Sequence, residues 1–407
     1  MSSMGNKPSH FSFSNTGLLP REEMLETGRK KKQLTIGIPK ETSKFENRVP
    51  LTPQGIELLV DNGHKVLFES GAGEAAHYFD HAFSESGATI VFNHKEVFES
   101  DIILKVSPLS VSEIELMSPD QLVISLLYLY GQSRENISLM LDKRINAIAF
   151  ELLRDDNNCY PVIRSMSEIE GYASVMIASE FLSKAHNGKG VLMGGVTGIS
   201  PAEIVILGAG TAGEFAARAA IGLGATVKVF DNSYRNLREL ERNLGQRVFT
   251  SVLHPHVLTK ALRSADAVLG SLRYLQTGRS FMVSEGQIAQ MKQGSVIIDL
   301  SMDQGGCFES SACTDFEHPI FIKHGVIHYC VPNIASRVAR TASIALSNIF
   351  APILLRLAEA GGMHHLIKED VGVSHGVYIY KGILTNNHIG SRFNLPFKDI
   401  GLLMAAF

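Results

Sequence analysis

The feature that most constrains the fold is a glycine-rich turn between an apolar run and a helix-like segment. The run EIVIL (203–207) is typical of a buried strand, and Gly208, Gly210 and Gly213 follow it in the spacing G-x-G-x-x-G. Glycines at these positions permit a tight turn, let the backbone approach a pyrophosphate and let the helix pack closely on the strand. The N-terminus of that helix offers free N–H groups to phosphates. The segment therefore predicts a dinucleotide-binding α/β unit.

A second strand-like run, TVKVF, ends at Asp231, which lies about 20 residues beyond the glycine turn. An acidic side chain at this place accepts hydrogen bonds from the adenosine ribose and repels a 2′-phosphate. The pattern therefore favours NAD over NADP as the cofactor. Arg235 and Arg238 lie close in sequence and weaken that preference slightly.

Short apolar runs alternate with helix-like stretches on both sides of this unit. Such alternation predicts mostly parallel sheets with helices on both faces. The runs lie at 34–39, 66–70, 88–92, 101–107, 121–129 and 145–151, and again at 203–207, 226–230, 265–271, 295–301 and 325–331. After residue 335 the pattern becomes helical.

The chain has 407 residues, which is too long for one ordinary core, so two domains are expected. We predict an α/β fold in which two Rossmann-like parallel-sheet domains enclose a ligand cleft. Residues 1–33 would form an N-terminal extension, 34–170 and 336–407 a discontinuous substrate domain, and 171–335 the inserted NAD domain.

Composition narrows the classes of partner. The net charge of −3 predicts neither a nucleic-acid partner nor a membrane-surface partner. The four cysteines form no C-x-x-C pair, which predicts free thiols in a reducing compartment, and no metal site is expected. The N-terminus lacks an apolar signal core, and the apolar stretch 342–360 carries Arg, Ser, Asn and Pro, as a buried helix does. We therefore expect a cytoplasmic protein.

An acid follows the apolar run at 295–301. Asp303 is followed by Gln304 and two glycines, which would let the backbone turn close to a ligand. In open α/β sheets, ligands bind beyond the carboxyl ends of the strands. We therefore expect Asp303 to act as an acid/base or to bind an ammonium group. Asp299 is the competing acid, but it lies inside the predicted strand.

From about residue 34 onward, the chain resembles the alanine dehydrogenase and proton-translocating transhydrogenase α-subunit family. The motifs that carry the resemblance occur in order: IGIPKE…NRVPLTPQG (36–55), GHKVLFESGAG (63–73), MSEIEG (166–171), GKGVLMGGVTGISP (188–201), the glycine turn, MDQGGCFE (302–309) and HYCVPNIASRVARTAS (328–343).

The resemblance implies a homo-oligomer, often a hexamer, that acts on a small amino acid or 2-oxo acid with NAD. It implies that Arg48 holds the substrate carboxylate and that Asp303 lies beside the nicotinamide. It also implies that Asn333 borders the substrate and that Ser167 contacts the cofactor. The planar, two-pronged donor of an arginine suits a carboxylate.

Two positions depart from the family pattern. In LKVSPLS, Ser107 stands where the family has a substrate-binding lysine. Lys105 lies one pleat earlier on the same face of the strand and is a possible substitute. Tyr128 stands where the family has a catalytic histidine; it can exchange hydrogen bonds, but its ordinary pKa near 10 makes it a poor base. We therefore rank Tyr128 after Arg48 and Asp303.

Three functions follow from these observations. The first is an NAD-dependent alanine dehydrogenase, which interconverts L-alanine and pyruvate. The second is a relative that reduces a substituted imine, joining an oxo acid to an amino acid as carboxyethylornithine synthases do. The third is an NAD-binding subunit without chemistry of its own, which senses the cofactor or serves a transhydrogenase-like partner.

Overall fold

The computed structural model describes residues 32–272, 282–302 and 305–406. These residues form fifteen strands: β1 (Thr35–Ile38), β2 (Lys65–Glu69), β3 (Thr89–Val91), β4 (Ile102–Leu104), β5 (Leu122–Ser125), β6 (Asn146–Ala149), β7 (Glu203–Leu207), β8 (Thr226–Phe230), β9 (Phe249–Ser251), β10 (Ala267–Gly270), β11 (Val296–Asp299), β12 (Ile320–Lys323), β13 (Val326–Tyr329), β14 (Val377–Tyr380) and β15 (Ile383–Leu384).

The described ranges also form fifteen α-helices: α1 (Pro53–Asp61), α2 (Asp80–Glu85), α3 (His94–Val97), α4 (Val111–Leu116), α5 (Arg134–Asp142), α6 (Pro161–Leu182), α7 (Thr211–Gly222), α8 (Tyr234–Leu244), α9 (Pro255–Ser264), α10 (Glu285–Ile288), α11 (Ala339–Glu359), α12 (Met363–Glu369), α13 (Val371–Gly376), α14 (Asn387–Phe393) and α15 (Ile400–Ala406). Short 3-10 turns, such as Phe150–Leu152 after β6 and Ile334–Val338 before α11, complete the described structure.

The strands form two sheets that are mainly parallel. The first sheet has the order β15-β14-β6-β5-β4-β1-β2-β3, and the second has the order β12-β13-β11-β10-β7-β8-β9. Antiparallel pairing is confined to one edge of each sheet, where β14 and β15 or β12 complete it. The prediction of an α/β fold with two parallel-sheet units is confirmed.

Each sheet is buried on both faces, which explains why its strands are continuous apolar runs. In β7, Ile204 and Ile206 join the hydrophobic core on one face of the sheet, while Val205 and Leu207 join the core on the other face. This division follows from the two-residue period of a strand. Because β7 is buried on both faces, all four of its residues after Glu203 are apolar.

The chain crosses between the two units in two places. Helix α6 places Val162 and Met166 in the core of the first sheet and Val175 in the core of the second sheet. On the return, Ile334 belongs to the second core and Ala335 to the first. All strands of the second sheet thus lie between the two crossings, as expected for an inserted domain, while the individual domain bounds stay predictions.

The C-terminal part is not wholly helical, so that expectation was wrong. Strands β14 and β15 form a hairpin whose two-residue turn consists of Lys381 and Gly382, both with positive φ (49° and 73°). Such turns match the twist of a hairpin, although a lysine at the first position conceals the usual sequence signal. The hairpin extends the first sheet beside β6.

The apolar helical stretch Ile334–Glu359 is long and apolar enough to cross a membrane, but half of its most apolar window is buried inside the protein. Leu346, Phe350 and Leu354 belong to the hydrophobic core of the first sheet. These contacts make it a core helix, as the polar residues within it predicted.

Candidate active site

The glycine turn connects β7 to α7 with the geometry that its spacing predicts. Gly208 has φ of 108°, a left-handed conformation that side chains other than glycine rarely adopt. A Cβ atom at Gly213 would lie 1.9 Å from the Gly208 carbonyl oxygen, so this position cannot hold a side chain without a shift of the backbone. A Cβ atom at Gly210 would meet nothing within 4 Å. The turn therefore fits a pyrophosphate, because its backbone at Gly210 is open to a ligand.

Asp231 lies directly after β8 and ties that strand to the glycine turn. Its Oδ2 accepts the N–H of Ala209 at 2.7 Å, and its Oδ1 accepts the N–H of Ser233 at 2.7 Å. The residue is buried, with 7% of its surface exposed. Oδ2 also accepts Asn236 Nδ2 at 3.4 Å, whereas Oδ1 can accept a further bond, so the predicted contact with a ribose is compatible with these bonds.

Ser167 lies on α6, where this helix passes from the first core to the second. One turn later, Gly171 packs against α7 so closely that a Cβ atom would lie 2.4 Å from the Ala212 carbonyl oxygen. Met166 precedes Ser167, and its sulfur accepts a hydrogen bond from Arg48 Nη1 at 3.2 Å. Ser167 therefore lies on the segment that connects the nucleotide helix with the residues around Arg48.

Arg48 and Asn333 meet around one carboxylate, that of Glu46. Arg48 Nε donates to Glu46 Oε1 at 2.7 Å, and Arg48 Nη2 donates to Oε2 at 2.6 Å. Asn333 Nδ2 donates to Glu46 Oε2 at 3.0 Å and to the Phe45 carbonyl oxygen at 3.1 Å. The two-pronged carboxylate interaction predicted for the substrate is thus already made inside the chain.

The Arg48 guanidinium is buried yet remains charged. Burial opposes the charge, but the carboxylates of Glu46, Glu170 and Glu41 outweigh it and raise the pKa of Arg48. The predicted carboxylate-binding cation therefore lies among several acids. Sequence reasoning missed Glu46, although its position two residues before Arg48 could have suggested the pair.

Lys105 and Ser107 are both bound to acids of the chain. Lys105 Nζ lies 2.6 Å from Glu113 Oε1 and 3.7 Å from Glu41 Oε2, and its side chain is almost inaccessible. The Ser107 hydroxyl donates to Glu41, whose other oxygen accepts the Val106 N–H at 2.5 Å. Burial raises the pKa of Glu41, against the opposing charge of Lys105. Lys105 is thus engaged by acids of the chain, and its possible role in place of the family's lysine stays a prediction.

Tyr128 follows β5 in a left-handed conformation (φ 48°, ψ 62°) and is 39% exposed. The Glu151 carboxylate accepts the N–H groups of Leu127 and Tyr128 at 2.9 and 3.2 Å. Burial raises the pKa of Glu151 to about 7. Sequence reasoning missed this acid, yet it follows an apolar strand run just as Asp303 does.

Asp303 and Gln304 lie outside the described residues. Residues before and after them form hydrogen bonds with Asp299. Asp299 accepts the N–H of Ser301 at 3.0 Å, the N–H of Cys307 at 2.7 Å and the Ser311 hydroxyl at 2.6 Å. Burial raises the pKa of Asp299, while these donors lower it. Asp299 is therefore the group that organises this turn, whereas the role of Asp303 stays a prediction.

None of the four cysteines, all of which lie in the described residues, forms a disulfide bond, as expected. Cys307 is fully buried beside the turn and packs with the second sheet. Among the described residues, no group of three His, Cys, Asp or Glu side chains is placed to hold a metal ion.

Comparison with known proteins identifies the family. The description "Alanine dehydrogenase/PNT, N-terminal domain" matches residues 37–170, and "Alanine dehydrogenase/PNT, C-terminal domain" matches residues 174–387. The chain belongs to the alanine dehydrogenase/PNT family. Its predicted family resemblance is thereby confirmed, and membership implies NAD as the cofactor.

Individual members of the alanine dehydrogenase/PNT family match nearly the whole chain. Alanine dehydrogenase 2 of Staphylococcus aureus (strain USA300) is 36% identical over 368 residues, which cover 90% of this chain and 98% of the relative. A solved L-alanine dehydrogenase superposes with a TM-score of 0.83 at 34% identity, covering 89% of this chain and 99% of its own. The transhydrogenase of Sinorhizobium meliloti, at 24% identity and TM-score 0.74, shares the fold over 87% of this chain and 99% of its own.

Proposed function

We propose that the protein is an NAD-dependent amino-acid oxidoreductase of the alanine dehydrogenase type. In this reaction L-alanine, water and NAD⁺ give pyruvate, ammonium, NADH and a proton. The proposal rests on the group formed by Arg48, Glu46 and Asn333, here called the Arg48 cluster. Helix α6 joins this cluster to the glycine turn through Met166 and Gly171. A buried, permanently charged guanidinium next to a dinucleotide turn suits a substrate with a carboxylate beside its reacting carbon.

NAD would lie with its pyrophosphate at Gly208, Gly210 and the start of α7, and its adenosine ribose at Asp231. When bound, NAD accepts a hydride from the substrate or returns one to it. The negative charge of Asp231 opposes a 2′-phosphate, which supports NAD over NADP. Ser167 and Asp303 are proposed to contact the cofactor and to exchange protons with the substrate, respectively.

The substrate carboxylate would approach Arg48 from the side of Met166. Arg48 Nη1 donates to the Met166 sulfur, which is a weak acceptor, whereas Nε and Nη2 are engaged by Glu46. A carboxylate oxygen is a stronger acceptor than a thioether and would replace it. Asn333, already bound to Glu46, would border the substrate from the second crossing of the chain.

A second candidate substrate class rests on Ser107. Its hydroxyl is bound to Glu41, and the neighbouring cation Lys105 is bound to Glu113. Glu113 is buried and engaged by Lys105, so the carboxylate of Glu41 is the acid that would accept the amino group of a second amino acid. Such a substrate belongs to the reductive joining of an oxo acid to an amino acid.

One assay separates these functions. NADH consumption is measured with a panel of 2-oxo acids that includes pyruvate, first with ammonium and then with amino acids as the nitrogen donor. Alanine formation from pyruvate and ammonium is the expected result. A secondary amine as the product would favour the second class. NADH binding without turnover across the panel would contradict both and leave an NAD-binding subunit.

We also propose a cytoplasmic homo-oligomer, for which the family resemblance implies a hexamer, without a membrane or nucleic-acid partner. The basis is the near-complete coverage of the alanine dehydrogenase relatives and the modest net charge. Light scattering on the purified protein measures the oligomer size, and a monomeric mass would contradict the proposal.

A further inference from the structure

Three side-chain contacts hold the turn around Tyr128, which follows β5. Glu151 accepts the N–H groups of Leu127 and Tyr128 through a single oxygen, Oε1. Gln132 Nε2 donates to the Leu127 carbonyl oxygen at 2.9 Å. The Tyr128 ring packs over Gly131, where a Cβ atom would lie 2.2 Å from the ring carbon Cε1. The turn therefore holds both the backbone and the ring of Tyr128.

The conformation held in this way is an unfavourable one. A left-handed backbone costs a residue other than glycine about 1–2 kcal/mol. Tyr128 adopts it while its N–H is bound by Glu151 and its carbonyl oxygen accepts the Gly131 N–H at 2.9 Å. Tyr128 is 39% exposed, so the conformation held in this way leaves part of the residue accessible to solvent.

The two oxygens of Glu151 are unequal. Oε1 accepts two N–H groups, whereas Oε2 is buried and has no hydrogen-bond partner within the part of the chain that the structure describes. An ionised carboxylate carries charge on both oxygens, so the unpaired oxygen makes the ionised form costly. A proton on Oε2 removes that cost and leaves Oε1 as a neutral, weaker acceptor. Protonation of Glu151 therefore weakens its hydrogen bonds to the N–H groups of the turn.

We attribute the balance between the ionised and protonated forms of Glu151 to its own burial and hydrogen bonds, because the titratable groups near it are buried or have other partners. From β14, the buried phenol of Tyr378 faces it, and burial together with Glu151 raises the pKa of that phenol. The nearby helices have other pairings: His375 of α13 is influenced by Arg154, and Arg164 of α6 pairs with Glu168.

We propose that Glu151 is a positioning residue for Tyr128, holding the turn firmly when ionised and more weakly when protonated. The inference rests on the proposed function in one respect, namely that Tyr128 borders the substrate. The coupling between Glu151 and the turn exists with or without that role. Because burial raises the pKa of Glu151 to about 7, the change falls near neutral pH.

The coupling can be measured without any activity. The chain has ten tyrosines, so selective ¹⁵N-tyrosine labelling gives a simple amide spectrum, in which Tyr128→Phe identifies the Tyr128 signal. We expect that signal to titrate with a midpoint near pH 7 in the wild-type protein and to be insensitive to pH in Glu151→Gln. A Tyr128 signal that ignores pH in the wild-type protein would overturn the proposal. The titration is recorded on the wild-type protein, and only the identification of the signal requires that Tyr128→Phe folds.

Kinetics then test the link to catalysis. In the wild-type enzyme, kcat/KM for the amino or oxo acid should rise about threefold or more as pH passes neutrality, because firm positioning of a side chain at the site favours the transition state. Glu151→Gln should lose this inflection, whereas Glu135→Gln, which changes an exposed carboxylate on the following helix, should keep it. Identical profiles for the wild type and Glu151→Gln would overturn the catalytic link. Absence of turnover with every substrate would instead reject the proposed function and leave the NMR result to decide the coupling.

Discussion

The nucleotide end and the substrate end of the molecule are built in different ways. At the glycine turn, backbone geometry creates the site, since Gly208 and Gly213 satisfy close contacts and Gly210 stays open. At the Arg48 cluster, the proposed substrate site is formed by the buried ion pair of Arg48 and Glu46 together with the amide of Asn333 from a distant segment. The first site depends on the absence of side chains, and the second depends on balanced charges.

This difference predicts how each end responds to substitution. Added side-chain atoms damage a site that is formed by the backbone, and such a site has few polar side chains to lose. A charged cluster is damaged by removal of one partner, because the remaining charge stays buried. Because acids of the chain already surround Arg48, a substrate carboxylate must compete with them for its guanidinium.

The largest effect is expected for Asp303→Asn, which should lower kcat about 100-fold or more, because a proton-exchanging group acts mainly in the transition state. The dissociation constant of NADH should hardly change. Asp299→Asn is the matched acid control: it should lower thermal stability along with turnover, because Asp299 holds the backbone of the turn. Turnover near the wild-type level in Asp303→Asn would remove this residue from the mechanism.

Arg48→Ala should destabilise the fold by about 3–5 kcal/mol, because the buried Glu46 carboxylate loses its ion partner. The double variant Arg48→Met and Glu46→Gln should recover part of that stability in chemical denaturation, yet it should not recover the affinity for the oxo acid. If the double variant regained a wild-type KM for the oxo acid, the pair would be structural and the carboxylate-binding role of Arg48 would be wrong.

The glycine turn offers a matched pair of variants. Gly213→Ala places a Cβ atom against the Gly208 carbonyl oxygen and should cost about 2 kcal/mol in the free energy of unfolding. Gly210→Ala meets open space and should leave stability unchanged. Both should weaken NADH binding about tenfold or more, as measured by fluorescence titration. Unaltered NADH affinity in Gly210→Ala would place the pyrophosphate elsewhere.

The smallest effect concerns cofactor choice. Asp231→Asn removes the charge that opposes a 2′-phosphate while keeping an oxygen for the Ala209 N–H. We expect the ratio of NADPH to NADH affinity to rise about tenfold, equivalent to about 1.4 kcal/mol. Equal melting temperatures for variant and wild type would exclude a collapsed turn as the cause. No change in the ratio would count against a ribose contact.

Sequence reasoning predicted the backbone-built end because its rules are local. The spacing of Gly208, Gly210 and Gly213 and the apolar run before them specify a strand, a turn and a helix within a few residues. The same rules located most strands, since a run buried on both faces is recognisable without its neighbours. They failed at the hairpin of β14 and β15, where Lys381 occupies a position that usually holds Asn or Gly.

The charged end was only partly predictable because its pairings are not local. Glu46 is near Arg48 in the chain, but Asn333 reaches it across almost three hundred residues. The strand period related Lys105 to Ser107, but β4 ends at Leu104, and the ion partner of Lys105, Glu113, lies on the following helix. Nothing in the residue pattern could show that Ser107 binds Glu41, because the folded backbone alone brings the two together.

The two places where the chain crosses between its halves have a further consequence. Met166, at the first crossing, contacts Arg48, and Asn333, just before the second, contacts Glu46. Residues at both connecting segments therefore touch the buried Arg48–Glu46 ion pair, so a substitution at either crossing should disturb the guanidinium and its counter-ion together.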